Sequence, residues 1–155
     1  MSRAFVKEPD GLEAFDELPE RLVSDHPNLV TEQGLAHIEA EVSRLQQAYA
    51  EAQSAGDRAA LNHAARDLRY WSQRRATAEL VEIPKDGGEV RFGSRVTLLR
   101  ADGRRQTYRI VGEDEADPSK GTVSYVSPLA RALLGKSLGD TAVAGAGEVE
   151  ILEIV

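Results

Sequence analysis

Residues whose types could support catalysis are sparse in this 155-residue chain. It has three histidines (His26, His37 and His63) and no cysteine, so disulfides, thiolate metal sites and Cys–His nucleophiles are excluded. His63 has no second histidine close to it in sequence, and we expect it to be a surface residue rather than a metal ligand. The glycine-rich run 144–147 lacks the preceding strand and following helix of a nucleotide-binding loop. The sequence predicts a protein that is not itself an enzyme.

One carboxylate has a distinctive position, that of Asp57, which follows Gly56 between two periodic stretches. An aspartate there can cap the following helix, and an exposed carboxylate can also contact a divalent cation. The next acid along the chain is Asp67, about three helical turns further on. Because a single carboxylate holds Mg²⁺ weakly against the hydration shell of the ion, no catalytic residue and no independent metal site is assigned. Asp57 remains a candidate functional carboxylate at the tip formed where the two periodic stretches meet, and helix capping is the simpler interpretation.

Two amphipathic stretches must position Asp57. Apolar residues recur at spacings of three and four residues, which is typical of a coiled-coil seam. Thr31 is placed to cap the first helix, and a four-residue interruption (54–57) separates it from the second. Two helices around so short a turn must run antiparallel and pair along their seams. The expected seam residues are Leu35, Ile38, Val42, Leu45, Tyr49 and Ala52 on the first helix, and Leu61, Ala64, Leu68, Trp71, Arg75 and Ala78 on the second.

The second half of the chain follows a different pattern. Residues 94–100 and 104–111 read as strands around an Asp102-Gly103 turn, and further short strands are expected at 122–126, 141–144 and 148–154. Ser127 suits a helix N-cap and Pro128 the first helical position, with Gly135 placed to end that helix in the left-handed conformation. This pattern predicts a small antiparallel sheet with one short helix.

Three segments follow: an acidic extension (1–30), a coiled-coil hairpin (31–82) with arms of about 35 Å, and a sheet domain (83–155). The fold class is therefore α+β. The extension contains three prolines and no sustained period, so we expect an extended arm, with docking on the protein itself or on a partner as the alternative.

Charge and hydropathy narrow the function further. The formal net charge is −7, and residues 1–30 carry three Lys and Arg against seven Asp and Glu. An acidic chain repels a phosphate backbone, so independent nucleic-acid binding is not expected, whereas a basic protein surface remains a suitable partner. No run of about 18 apolar residues is present, so we expect a cytoplasmic protein without a membrane partner.

Three sequence blocks carry a family resemblance: Arg91–Val96, Arg109–Asp117 and Ser124–Asp140. Together they resemble the C-terminal domain of the bacterial Gre transcript-cleavage factors, and GreB more closely than GreA. The resemblance implies an FKBP-like fold for the sheet domain, which in the family docks on RNA polymerase. The order of hairpin, linker and sheet domain is also similar to the Gre architecture.

The resemblance also implies which residues act. Contacts with RNA polymerase are expected at the acidic loop and at the start of the short helix, that is at Asp114, Glu115, Ser127, Pro128 and Leu129. Arg66 and Arg69 on the second helix are candidates to face RNA in the polymerase complex, with a solvated, ion-paired face as the alternative. Asp114 and Glu115 have an ordinary exposed loop as their alternative.

The hairpin tip departs from the Gre pattern. Gre factors have Gly-Asp-x-x-Glu-Asn there, and the two acids hold a second Mg²⁺ in the polymerase active centre. Gly56 and Asp57 match, but Ala60 and Leu61 stand where the glutamate and asparagine are expected. The arms are also shorter by about two turns in this alignment, which retracts the tip by about 10 Å.

The sequence therefore predicts a Gre-like elongation factor homologue that binds RNA polymerase core at its secondary channel and modulates elongation without strong cleavage stimulation. The alternatives are a genuine cleavage-stimulating factor that uses Asp57, and a coiled-coil adaptor for another protein. No cofactor is expected, Mg²⁺ being relevant only within a polymerase complex. We expect the protein to contact nucleic acid only within that complex. We also expect it to be a monomer.

Overall fold

A computed structural model describes residues 18–83, 85–145 and 147–155. Residues 1–17 of the predicted N-terminal extension lie outside the described residues. Ten helices and strands follow in chain order: β1 (Leu29–Val30), α1 (Glu32–Ala55), α2 (Arg58–Thr77), β2 (Glu79–Leu80), β3 (Arg95–Arg100), β4 (Arg105–Val111), β5 (Thr122–Ser124), α3 (Pro128–Leu133), β6 (Thr141–Ala144) and β7 (Gly147–Ile154). A helical hairpin followed by a sheet with a short helix confirms the predicted α+β class. Among the described residues, no helix is long and apolar enough to cross a membrane.

The chain forms two compact units. The hairpin unit comprises Glu39–Ala76 together with the segment that ends at Ser24, and the sheet unit comprises Asp25–Ile38 and Thr77–Val155. The predicted boundaries at residues 30 and 82 follow sequence pattern, and as domain boundaries they stay a prediction.

The two long helices follow the predicted seam, with two corrections, the first being that α2 ends at Thr77 and leaves Ala78 outside the helix. On α1, Ile38, Val42, Leu45 and Ala52 are buried. On α2 the buried positions are Ala64, Trp71 and Arg74, whereas Arg75, which was expected in the seam, is exposed. Spacings of three and four residues both return a side chain to nearly the same helix face, so the pattern alone does not separate positions 74 and 75.

Five strands of the sheet unit form one sheet in the order β5-β4-β3-β7-β6. The β3–β4 hairpin closes at the predicted turn, where the Arg100 N–H donates to the Arg104 carbonyl at 2.8 Å. The β3–β4, β3–β7 and β6–β7 pairs are antiparallel, as predicted, but β4 and β5 pair in parallel, which the sequence did not predict. Strand β5 also ends at Ser124 rather than at residue 126.

One face of this sheet packs against α3 to form the core. Val96, Leu98, Ile110, Ala130 and Leu133 have no exposed surface. These residues come from alternate strand positions and from one side of α3, as a sheet covered on one face requires. Gly135 has a φ of 82° and lies just beyond the helix, which confirms the predicted left-handed ending.

A second, two-stranded sheet brings the start of α1 into the sheet unit. Strands β1 and β2 pair in parallel, with Leu29 opposite Glu79 and Val30 opposite Leu80. A Cβ atom on Gly112 would lie 2.3 Å from the Leu29 carbonyl oxygen, so this close approach of two backbones requires glycine. Neither contact was expected from the sequence.

Candidate functional site

The parallel pairing of β4 and β5 brings the two predicted docking elements to one edge of the sheet. Val111 is paired with Ser124, so both strands end at the same place. Gly112 and the acidic loop follow Val111 directly, and Ser127, the N-cap of α3, lies three residues beyond Ser124. Parallel strands have their carboxyl ends at a common edge, so the two elements become neighbours through topology. We call this the docking edge, made of Asp114, Glu115, Ser127, Pro128 and Leu129.

The start of α3 is held by local chemistry. The Ser127 hydroxyl accepts the Ala130 N–H at 3.2 Å, and Pro128 occupies the first turn, as predicted. Pro128 is exposed, while Leu129 is half-buried against the core. The structure thus exposes the Pro128 ring at a capped helix start, and its contact with a partner stays a prediction.

Glu115 is anchored within the sheet unit. The Thr31 hydroxyl donates to Glu115 Oε2 at 2.6 Å and accepts the Gly34 N–H at 3.0 Å. Thr31 therefore caps α1, as predicted, and Glu115 adds negative charge near the N-terminus of that helix, where it is stabilising. Glu115 and Asp114 are both half-buried. A polymerase contact at these two acids stays a prediction.

Further along the loop, Asp117 has an internal role. Its Oδ1 accepts the Ser119 N–H at 3.1 Å and so caps a single 3-10 turn (Pro118–Lys120). The hydrogen bond from the Ser119 hydroxyl is the main cause that holds the pKa of Asp117 below its ordinary 3.8. Desolvation opposes it, while the Ser119 backbone N–H and the charge of Lys120 lower the pKa further. The loop that carries Asp114 and Glu115 is thus closed by hydrogen bonds of its own.

The hairpin tip presents Asp57 as a helix cap. Asp57 Oδ1 accepts the Ala60 N–H at 3.1 Å, and its carbonyl accepts the Leu61 N–H at 2.9 Å. Asp57 and Ala60 are both exposed. Within the described part of the chain, no group of three or more His, Asp and Glu side chains could hold a metal ion. His63 is exposed.

The arginines of α2 that were predicted to face RNA are ion-paired. Arg66 Nε lies 3.3 Å from Asp67 Oδ1, and Arg69 Nη2 lies 2.5 Å from Glu20 Oε1. The hydrogen bond from Arg69 holds the pKa of Glu20 below its ordinary 4.5. Arg69 is exposed and Arg66 is half-buried. Whether either residue meets RNA stays a prediction.

Comparison with known proteins places this architecture. Residues 84–155 match the family described as "Transcription elongation factor, GreA/GreB, C-term". The transcription elongation factor GreA of Hyphomonas neptunium is 39% identical over 150 residues, which cover 81% of this chain and 96% of that protein. The chain belongs to the GreA/GreB family. GreA of Legionella pneumophila (strain Lens) is 37% identical over 157 residues, which cover 85% of this chain and 97% of the relative.

Solved structures of the Gre family are also similar. The GreA factor homolog 1 (Gfh1) protein of Thermus thermophilus matches with 21% identity and a TM-score of 0.40, covering 84% of this chain and 99% of that chain. GreA/GreB from Nitrosomonas europaea matches with 20% identity and a TM-score of 0.40, covering 82% and 98%.

The family match locates the resemblance within the chain. The matched residues 84–155 include the whole docking edge and none of the hairpin. The curated relatives described above are named GreA, so the closer resemblance to GreB stays a prediction. Sequence motifs predicted the docking-edge residues, and their contact with a partner stays a prediction. Sequence reasoning missed Thr31 as the partner of Glu115, which lies 84 residues away, since no local pattern joins the two.

Proposed function

We propose that this Gre-family chain binds core RNA polymerase at its secondary channel through the sheet unit and modulates elongation with little stimulation of transcript cleavage. Membership of the family supports polymerase as the partner. The exposed proline at the capped start of α3 supports the docking edge as the contact. We infer a cytoplasmic monomer that meets nucleic acid only within the polymerase complex.

The observation that carries the proposal is the chemistry of the tip. A second Mg²⁺ held between two tip carboxylates would activate water for RNA hydrolysis. This tip has one carboxylate, and its Oδ1 already accepts the Ala60 N–H. Ala60 offers a methyl group where the Gre pattern has a glutamate. The donor set does not fit the ion, so no cleavage step is assigned to the residues of this chain.

Helix length supports the same conclusion. Helix α1 has 24 residues and α2 has 20, or about 36 Å and 30 Å at 1.5 Å per residue. The alignment with the Gre pattern makes both arms about two turns short, and a retraction of about 10 Å exceeds a metal–carboxylate bond several-fold. A hairpin of this kind would occupy the channel without completing the metal site.

Two alternative functions, a cleavage-stimulating factor and a coiled-coil adaptor, are each supported by one observation. A genuine cleavage factor is supported by the exposure of Asp57, because a capping carboxylate retains a second oxygen for other ligands. A coiled-coil adaptor is supported by a docking edge that would suit a different basic protein surface equally well. Neither accounts for the combination of family membership and an incomplete tip.

A cleavage assay on backtracked complexes separates modulation from stimulation. We expect the wild type and Asp57→Ser, which keeps a capping oxygen, to remain near the rate of polymerase alone. Added in excess to a GreA-containing reaction, the wild type should reduce cleavage by competition. Strong cleavage by the wild type that is lost in both Asp57→Ser and Asp57→Ala would overturn the proposal in favour of the cleavage factor.

Binding to purified core polymerase separates the first two functions from the adaptor. We expect saturable binding that weakens in Pro128→Ala, which alters the docking edge, and not in Ala60→Ser at the tip. The affinity should also fall with added salt, since the edge includes the acidic residues Asp114 and Glu115. Absence of binding by the folded wild type would favour the adaptor.

A further inference from the structure

The described part of the N-terminal extension lies against α2 within the hairpin unit. We call residues 18–24 the arm segment. Arg69 Nε donates to both carboxylate oxygens of Glu20, at 2.9 and 3.1 Å, and Arg69 Nη2 donates to Oε1 at 2.5 Å. Two nitrogens of Arg69 thus contact both carboxylate oxygens of Glu20, although both side chains are exposed to solvent.

The next residue of the arm segment makes a second set of contacts. Arg21 Nη1 lies 3.5 Å from Asp67 Oδ1. The Arg21 guanidinium carbon lies 4.0 Å from the centroid of the Tyr70 ring and 5.7 Å from that of Trp71. Both distances are within the range of cation–π attraction.

The charges of the two surfaces match in order. Two neighbouring residues of opposite sign, Glu20 and Arg21, meet Arg69 and Asp67, which lie two positions apart on α2. Helix α2 has five arginines against one aspartate, and the two charged residues of the arm segment are each placed against a residue of opposite sign. Leu18 and Val23 are half-buried, whereas Leu22 is 95% exposed, which indicates that the arm segment has one contacting side.

We propose that the arm segment is an intramolecular latch, which occupies Arg69 and the aromatic surface beside it until another molecule displaces it. The contacts are exposed charge pairs and a cation–π contact, which are individually weak and screened by salt. The closed state is therefore stable enough to populate and weak enough to reverse. The consequence for RNA polymerase rests on the proposed function: the latch must open before Arg69 can contact anything anionic in the channel.

Trp71 is the single tryptophan of the chain and reports on the latch without polymerase. It is 8% exposed and lies beside Arg21. In the full-length protein, acrylamide quenching of its fluorescence should increase in Glu20→Arg, because that change places two cations together. Loss of the Glu20 and Arg21 contacts should lower the ratio of closed to open chains roughly twofold to fivefold.

A charge exchange provides the decisive comparison. Arg69→Glu alone should open the latch, and Glu20→Arg combined with Arg69→Glu should return quenching towards the wild-type value. Glu150→Arg makes the same charge change at an exposed position of β7 and should leave quenching unchanged. Circular dichroism should show unchanged helix content in every variant.

Added 0.5 M salt should open the wild type but change Glu20→Arg little. Three results would overturn the latch: equal quenching in Glu20→Arg and Glu150→Arg, no recovery in the double variant, or equal responses of the wild type and Glu20→Arg to salt. These measurements contain no polymerase, so their failure leaves the proposed function standing. Conversely, failure to bind polymerase leaves the latch intact.

Discussion

The docking edge holds its candidate residues through long-range contacts, whereas the hairpin tip holds Asp57 through local ones. At the edge, Glu115 accepts a hydrogen bond from Thr31, which lies 84 positions earlier in the chain. Helix α3 packs on the sheet through Ala130 and Leu133, which have no exposed surface. At the tip, Asp57 accepts two hydrogen bonds from residues within four positions of it. Tertiary packing therefore constrains the edge, whereas the tip can exchange side chains at the cost of a helix cap. A substitution at the edge should therefore disturb the fold more than one at the tip.

The largest effect is expected from the packing under the docking edge. Leu133→Ala should destabilise the sheet unit by about 2–5 kcal/mol, because it empties a fully buried site under α3. The measurement is urea unfolding followed by circular dichroism, together with binding to polymerase, which should weaken in parallel.

Leu138→Ala is the matched control for this change. Leu138 is 62% exposed, so the loss should be within about 0.5 kcal/mol. Equal losses for the two leucines would remove the claim that core packing supports the edge.

A smaller effect is expected where the loop passes β1. Gly112→Ala places a methyl group against the Leu29 carbonyl oxygen and should cost about 1–3 kcal/mol, since two backbones must separate. Gly88→Ala is the control, because nothing lies within 4 Å of its added Cβ and its stability should be unchanged or slightly higher. Thermal unfolding of both variants is the measurement. A Gly112→Ala protein as stable as Gly88→Ala would show that the β1 contact is not maintained in solution.

The tip should respond less, and through the cap alone. Asp57→Ala should cost about 0.5–2 kcal/mol of hairpin stability, while Asp57→Ser should cost only a few tenths because its hydroxyl still accepts the Ala60 N–H. Thermal unfolding followed at 222 nm measures both. Equal losses of stability in the two variants would mean that the carboxylate has a role beyond capping. The tip would then differ less from the docking edge than proposed.

What the sequence predicted well was local. Thr31, Asp57 and Ser127 are N-caps because each lies at the start of an apolar periodic stretch, and the structure places all three as expected. The Asp102 turn was readable from a short-range signal as well. These features need only the neighbouring residues, so one sequence is sufficient to find them.

What the sequence did not predict depends on long-range pairing. The parallel register of Val111 with Ser124 depends on how the intervening loop crosses the sheet, and alternation alone does not fix strand direction. The contact of Glu20 with Arg69 joins residues 49 positions apart. From the sequence alone, several other acids of the extension were equally suitable partners for Arg69. Docking on the protein itself had been only the alternative for this arm.

The smallest expected effect concerns the pKa of Asp117 in the loop of the docking edge. Ser119→Ala removes the hydroxyl that contributes most to the lowered pKa, so the Asp117 pKa should move up towards 3.8 in a carboxyl NMR titration. Because the folded-state pKa is depressed, this contact stabilises the folded protein above the unfolded-state pKa and is lost as pH falls through the folded-state value. The stability difference between wild type and Ser119→Ala should therefore be greater at pH 7 than at pH 3. Ser137→Ala, in another turn of the sheet unit, should leave the Asp117 titration unchanged, and an equal shift there would show that the effect is not local to this loop.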